Sequence, residues 1–246
     1  MPDYLYGRHA VLEALRANRR VEQILIAQGV HARGALSELM TLAHDAGVRI
    51  RVVPREELDR VTRHHQGILA RIEEFEYAEL EDLLAVAADR GEPALLLMLD
   101  SVQDPQNLGT LLRTAEAVGA HGVILAERRA VGITPAVVKA SAGAVEHLKV
   151  ARVTNLARTI DELKRSNIWV FGVENIPQAQ DVWRTDFALP LVLVLGSEGA
   201  GLGRLVQEKC DFLVRLPMWG KVDSLNVAVA GSIVLYAVKM RRTNKT

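Results

Sequence analysis

The chain is short of several features that would point to particular classes of protein. Its one cysteine, Cys210, excludes an internal disulfide and a cysteine-rich metal site. The 30 basic and 30 acidic residues balance, so any binding to RNA must come from local patches rather than from overall charge. No apolar run approaches the roughly 20 residues of a membrane span. The first residues lack the shape of a signal peptide, which predicts a cytoplasmic protein.

The pattern of apolar segments predicts an α/β protein with two units. A length of 246 residues suits one large or two small domains, and 49% hydrophobic residues suffice for a real core. Residues 1–75 alternate strand and helix patterns, with a first helix expected over Tyr6–Leu15. An acidic helical stretch, residues 76–93, is expected to link the units. Residues 94–246 contain near-continuous apolar runs, which are typical of strands buried in a parallel sheet.

Basic residues cluster in two places in the first unit. Arg16, Arg19 and Arg20 form the first cluster, and Arg60–His65 forms the second. For the first cluster, contact with phosphates and a plain solvated surface remain equally open interpretations. The two adjacent histidines of the second cluster lack the spaced partners of a metal site.

A capped helix is predicted directly after the first apolar strand of the second unit. Asp104 can accept a hydrogen bond from a free backbone N–H of the first turn, and Pro105 suits the first helical position. Asn107 lies near the start of this helix. Arg113 lies on a different stripe from the leucines that form the buried side.

The segment Gly196–Gly203 is a glycine-rich loop that directly follows the apolar strand Leu191–Leu195. Its glycines allow the backbone to approach a ligand closely. The spacing matches neither the dinucleotide-binding fingerprint nor a P-loop. Glu198 is hard to explain by packing in such a loop, which favours a functional role.

The stretch Leu216–Ala237 leads through a loop into a helix that is apolar on nearly every side, predicted over Leu225–Val238. A helix without a polar face is buried in a core or against another subunit. Ser224 is the predicted N-cap. For Ser224 and Asn226, capping alone remains an open explanation.

Three loops of the second unit each follow a strand, so we expect them to meet at the carboxyl edge of one sheet. The loops are Asn107–Arg113, Gly196–Gly203 and Leu216–Asn226. Their polar residues include no histidine or cysteine nucleophile, which argues against a hydrolytic triad or a zinc site. The set suits a reaction governed by the positioning of two substrates. These polar residues are Asn107, Arg113, Glu198, Ser224 and Asn226.

Three motifs in the second unit identify the chain as similar to the SpoU/TrmH family of SPOUT-class RNA methyltransferases. They lie within Asn107–Ala120, Leu195–Gly201 and Leu216–Ala228. The segments Tyr6–Val11 and His65–Ile68 resemble the accessory substrate-binding domain of the branch that modifies 23S ribosomal RNA.

The resemblance implies a fold, a reaction and an assembly. The implied fold is a catalytic domain with a parallel sheet and a C-terminal trefoil knot, beside a small N-terminal ribosomal-protein-like RNA-binding domain. The implied reaction moves a methyl group from S-adenosylmethionine to a ribose 2′-hydroxyl, most directly of a guanosine in 23S rRNA, without a metal. The resemblance also implies a homodimer.

The resemblance further implies roles for individual residues. Arg113 would lie at the reacting hydroxyl, with Asn107 holding Arg113 or the ribose. The guanidinium of an ordinary arginine stays protonated and cannot accept a proton, so it would stabilise the oxyanion or act with an RNA phosphate. Glu198, Ser224 and Asn226 would fix the loops and the RNA. The residues expected at the cofactor are Gly196, Leu216, Met218, Leu225, and Glu174 or Asn175.

Two other functions stay open at this stage. One is 2′-O-methylation of tRNA by the same superfamily, although the compact tRNA enzymes generally lack an N-terminal domain of this kind. The other is a ribosome-associated RNA-binding protein without catalysis.

Overall fold

The computed structural model describes residues 3–197 and 199–243. The described chain forms two compact units. The first contains the residues up to Glu76 and the later segment Ile133–His147; the second contains Tyr77–Gly132 and the residues from Leu148 onwards. The domain boundaries expected from the sequence, at residues 75 and 93, stay a prediction.

Strands and helices alternate along most of the described chain. The strands are β1 (Asp3–Tyr6), β2 (Val21–Ala27), β3 (Arg49–Val53), β4 (Ile68–Ile72), β5 (Leu95–Leu99), β6 (Gly122–Ala126), β7 (Val150–Val153), β8 (Trp169–Val173), β9 (Gln180–Asp181), β10 (Leu191–Leu195) and β11 (Phe212–Arg215). The helices are α1 (Arg8–Arg16), α2 (Ala35–Asp45), α3 (Arg55–Asp59), α4 (Leu80–Arg90), α5 (Pro105–Ala117), α6 (Pro135–Ala140), α7 (Leu156–Arg165), α8 (Arg204–Lys209) and α9 (Val227–Thr243), with a 3₁₀ turn at Ala144–His147.

The first unit is built on a mixed sheet with the order β1-β4-β2-β3 across its described residues. Helices α1 and α2 pack against each other and against this sheet. The prediction of a helix over Tyr6–Leu15 is wrong at its start, because Tyr6 pairs with Leu69 as the last residue of β1. Gly7 separates the strand from the helix with φ 96°, a conformation that glycine adopts without strain.

The second unit contains a sheet that is parallel throughout, with the order β7-β6-β5-β10-β8-β11-β9 among the described residues. The predicted α/β fold with a parallel sheet is confirmed. Strand β10 lies between β5 and β8, both of which precede it in the chain. The loops of the candidate site follow β10 and its neighbours in this part of the sheet.

Both faces of the parallel sheet are covered, as the apolar strands require. Helices α4, α7 and α8 bury one face, with Leu83, Ile160 and Val206 in a common core cluster. Helices α5 and α9 pack together over the other face. Gly231 of α9 allows close packing there, since an added Cβ would lie within 3 Å of the side chains of Leu195 and Leu111.

Two helix starts test the capping predictions. Asp104 accepts a hydrogen bond from the Gln106 backbone N–H at 2.9 Å, so this predicted cap is confirmed. The prediction that Ser224 caps the last helix is wrong, because α9 begins only at Val227. The Asn226 side chain accepts from the N–H groups of Ala228 and Val229, at 2.9 and 3.2 Å, and so satisfies two donors of the first turn.

Helix α9 has an apolar face that the rest of the described chain leaves open. Val229, Tyr236 and Met240 are 47%, 51% and 56% exposed, whereas the opposite side of the helix packs into the core. None of the described helices combines the length and the apolar character needed to cross a lipid bilayer.

Candidate active site

A cleft of 680 Å³ opens at the carboxyl ends of β10, β8 and β11, which are neighbours in the parallel sheet. Open α/β sheets usually hold their ligands at this edge, where loops from adjacent strands converge. Two of the three loops expected there from the sequence line this cleft. The lining residues are Val173, Glu174, Asn175, Leu195, Gly196, Ser197, Gly199, Gly201, Arg215, Leu216, Met218, Asp223, Ser224, Leu225, Asn226, Val227 and Ala230.

The glycine-rich loop closes on itself at the rim of the cleft. Ser197 and Gly201 exchange backbone hydrogen bonds of 3.0 and 3.1 Å, which makes a tight turn. Gly196 lies beneath this turn, and a Cβ there would overlap the backbone of Gly201 and Leu202. Glycine at 196 is therefore a steric requirement of the site. Glu198, the acidic residue singled out in the sequence, lies outside the described residues.

Two carboxylates hold the far side of this loop. The Leu202 N–H donates to the Glu174 carboxylate, and the Gly203 N–H donates to the Asp100 carboxylate at 2.8 Å. Both acids directly follow strands, β8 and β5, so the sheet itself fixes the loop. Sequence reasoning had placed Glu174 at a ligand and had missed Asp100, although an acid at the end of a buried strand was a visible signal.

The loop between β11 and α9 is anchored by side-chain amides. Asn175 donates to the Asp223 carbonyl at 2.5 Å, and Asn226 donates to the Asn107 side-chain oxygen at 3.0 Å. Asn226 therefore joins the cap of α9 to the start of α5. Ser224 also lines the cleft. Asn107 and Asn226 are brought together in this way, as the sequence analysis expected for the polar set.

Arg113 lies elsewhere in the protomer. It is exposed on α5 and is not among the described lining residues of the cleft. Nearby, the hydroxyls of Thr114 and Ser232 are 2.8 Å apart and link α5 to α9. Any role of Arg113 at the cleft therefore stays a prediction.

Arg215 is a cleft residue that the sequence analysis missed. Its Nε is buried and has no hydrogen-bond partner within the described part of the chain. An unsatisfied buried donor costs about 1–3 kcal/mol, so such a group calls for an explanation. The guanidinium, with the carboxylates of Glu174 and Asp223, gives the cleft charges of both signs. This combination suits a small polar ligand that itself carries charged groups.

The cleft offers binding groups rather than a reactive side chain. Within residues 3–197 and 199–243, no three His, Cys, Asp or Glu side chains are grouped so that they could hold a metal ion. Backbone groups, amides and a guanidinium surround the cavity. Chemistry at this site would depend on alignment and electrostatic stabilisation.

Comparison with known proteins identifies two family models along the chain. The SpoU rRNA Methylase family matches residues 94–236, which carry the cleft. The family described as RNA 2′-O ribose methyltransferase substrate binding matches residues 4–78. The family resemblance found in the sequence motifs is thereby confirmed.

Individual relatives agree with these matches. A protein of Bacillus subtilis strain 168, YacO, named as a TrmH family tRNA/rRNA methyltransferase, is 48% identical over 241 residues, which are 98% of this chain and 96% of that protein. The SpoU methyltransferase AviRb from Streptomyces viridochromogenes, solved with AdoMet, has a TM-score of 0.82 at 25% identity, covering 98% of this chain and 90% of that chain. An AdoMet-bound rRNA methyltransferase from Sinorhizobium meliloti has a TM-score of 0.78 at 25% identity, covering 97% and 87%.

Proposed function

Since the chain belongs to the SpoU rRNA Methylase family, we propose that it methylates a ribose 2′-hydroxyl of RNA with S-adenosylmethionine. The observation that carries this proposal is the cleft built by the glycine-rich loop and the loop before α9. The similar structures of AviRb and of the Sinorhizobium meliloti enzyme were solved with AdoMet, which supports the choice of cofactor. The proposed place of action is the cytoplasm.

The described lining residues fit S-adenosylmethionine. Glycine at 196 allows the glycine-rich loop to close tightly at the rim of the cleft, and the Nε of Arg215, which has no partner among the described residues, can donate to an anionic group. We assign the adenosine part to backbone groups of Gly196, Leu216 and Leu225, with Met218 packing beside them. Glu174 or Asn175 would lie near the ribose. When bound, the cofactor supplies an electrophilic methyl group, so the chain itself must mainly align the acceptor.

We assign Arg113 to the acceptor hydroxyl. A guanidinium keeps its charge at all working pH values, so it can stabilise negative charge on the ribose oxygen or orient an RNA phosphate that takes the proton. The hydrogen bond between Asn226 and Asn107 supports a shared role of these two residues in fixing the loops. Ser224 and Glu198 would contact RNA or the loops.

We propose a homodimer formed through α9. Its exposed residues Tyr236 and Met240 line a groove of 650 Å³ together with Trp183 and Ile233, and Val229 is exposed on the same helix. An apolar face of this kind is typical of a surface between subunits. Because Arg113 is not among the described residues that line its own cleft, its assigned role requires the cleft of a second copy. Light scattering of the purified protein would detect the dimer.

We also propose the trefoil knot implied by the family. Two features support it: β10 is inserted between the earlier strands β5 and β8, and α9 packs back over α5 and β10. The two loops that line the cleft would be the crossing segments of the knot.

As the target we propose a guanosine of 23S rRNA. The match of residues 4–78 to a substrate-binding family of RNA 2′-O ribose methyltransferases supports an RNA substrate. Transfer of label from radioactive S-adenosylmethionine to unmodified 23S rRNA, to tRNA and to a sample without RNA tests the proposal. Label in 23S rRNA, mapped to a ribose of guanosine, is the expected result. Label only in tRNA would show that the protein is a tRNA 2′-O-methyltransferase. Label in neither RNA would favour a non-catalytic RNA-binding protein.

A further inference from the structure

One face of the sheet in the first unit carries a row of polar and aromatic side chains. The register pairs Tyr4 with Arg71, Arg71 with Gln23 and Gln23 with Arg49, so these four residues cross all four described strands. Paired residues point to the same side of a sheet. The four residues therefore lie on one face, and we call them the β-face row.

The next row of residues along the same face is partly covered by helix α3. Leu25 and Leu69 are buried there under Leu58 of α3, in a cluster that Tyr4 and Tyr6 join from the side. Arg51, at the β3 end of this second row, is exposed, as are Arg49 and Arg71. The face is thus covered at one end and open along the β-face row and Arg51.

The arginines of the first basic cluster in the sequence are paired within the protein, as is His65 of the second cluster. Arg16 pairs with Glu13 and Glu38. Arg19 pairs with Glu146 at 2.6 Å; the Glu146 side chain is buried and that of Arg19 is mostly buried. Arg20 and His65 follow the same pattern, with Arg20 paired to Glu73 and His65 fully buried next to Asp59.

The cations of the open face are engaged to different degrees. Arg71 pairs with Glu22 at 2.7 Å, whereas Arg49 and Arg51 have no acidic partner among the described residues. Lys139 lies over the Tyr6 ring, with Nζ 4.9 Å from its centroid. This arrangement leaves two uncompensated charges on the edge strand β3 and one half-buried aromatic ring, that of Tyr4, at the other end of the row.

We propose that the β-face row and Arg51 bind a single-stranded segment of the RNA substrate. Arg49 and Arg51 contact phosphates, Tyr4 stacks on an unpaired base, and Gln23 between them hydrogen-bonds a base edge. Neighbouring strands are about 4.8 Å apart, so the row spans roughly 14 Å, enough for a few nucleotides. Stacking on a tyrosine requires a base that is not already stacked in a duplex, which selects single-stranded RNA.

This inference rests on the proposed function for the identity of the ligand, but binding tests it separately from catalysis. The full-length protein is titrated into a fluorescently labelled single-stranded RNA, and into the same sequence closed as a duplex, at several salt concentrations. The double variant Arg49→Glu/Arg51→Glu is compared with Arg60→Glu/Arg63→Glu, which makes the same charge change at two exposed arginines of the same unit.

We expect the first double variant to lose at least about 10-fold in affinity for single-stranded RNA. Because each phosphate contact contributes about 0.7 to the salt slope, the slope should fall by roughly 1.4. The Arg60/Arg63 variant should bind within about twofold of the wild type. Equal losses in both double variants would mean that charge alone matters, and would overturn the assignment.

Tyr4 gives a second, independent measurement. Tyr4→Leu keeps the apolar packing but removes the aromatic face, and should weaken binding by about 5-fold to 100-fold without changing the salt slope. Tyr4→Phe should bind like the wild type. Unchanged binding by Tyr4→Leu, or a preference of the wild type for duplex, contradicts the proposal. If the wild type binds RNA as expected but methylates none, the proposed function is wrong, whereas the assignment of RNA binding to the β-face row and Arg51 is retained.

Discussion

Substitution of Gly196 by alanine tests whether the glycine-rich loop shapes the cofactor cleft. An added Cβ would lie closer than 3 Å to backbone atoms of Gly201 and Leu202, a separation that real Cβ atoms essentially never show. Backbone atoms cannot rotate away as a side chain can. The turn closed by Ser197 and Gly201 must therefore move by about 1 Å or open.

The expected magnitude follows from this overlap. Forcing an extra methyl group into a packed site costs about 1–3 kcal/mol, which lowers the melting temperature of a unit of this size by roughly 2–12 °C. A displacement of about 1 Å in a positioning loop can cost about 100-fold in function. We therefore expect Gly196→Ala to weaken S-adenosylmethionine binding by at least about 10-fold in isothermal titration calorimetry, beyond its effect on stability.

Gly220 provides the matched control. It lies in the other loop of the site, and a Cβ there would meet nothing within 4 Å. Gly220→Ala should leave affinity unchanged and stability within about 0.5 kcal/mol. Wild-type affinity and melting temperature in Gly196→Ala would refute the steric reasoning, because the backbone in this structure leaves no room for the methyl group.

Three further predictions concern other sites. Arg113→Ala should abolish methyl transfer while keeping S-adenosylmethionine affinity, and Arg113→Lys should not restore it, since an ammonium lacks the planar fork of the guanidinium; unchanged single-turnover methylation would reject the assigned role. Arg19→Met should destabilise the first unit by about 3–5 kcal/mol, because it leaves the Glu146 carboxylate buried without its cation. Burial raises the pKa of Glu146 above its ordinary value of 4.5, so its favourable contribution is present at low pH and lost as the pH rises through the folded pKa. Without Arg19 that pKa rises further, so urea unfolding should show a deficit that shrinks from pH 8 towards pH 4.5, and a deficit independent of pH would contradict this. Burial raises the pKa of Cys210 to about 12, so iodoacetamide at pH 8 should alkylate it far more slowly in the native than in the unfolded protein, as followed by mass spectrometry.

Most of the fold could be predicted from the sequence because several of its strands are near-continuous runs of apolar residues. The run Leu191–Leu195 carries uninterrupted apolar residues, and Val150–Val153 is apolar except for Arg152; the observed strands have these bounds. The strand Asp3–Tyr6 was missed because its two tyrosines and short length blend into the helical pattern that follows. Its partner, β4, is distant in sequence, and only that pairing fixes Tyr6 as a strand residue.

The site was predictable as loops but not as interactions. The positions of the glycine-rich loop and of the loop before α9 follow from the strands that precede them, since parallel strands end at one edge. Which acid holds which N–H does not follow, because Glu174 and Asp100 act through partners that the fold brings near. Arg215 shows the same limit: in the sequence it is an ordinary strand residue, and only the folded chain places it in the cleft, where its Nε is buried and has no partner among the described residues. A residue of this kind is recognised by a hydrogen bond that it lacks. It can therefore be found only after the hydrogen-bond partners of the other polar groups in the folded chain have been assigned.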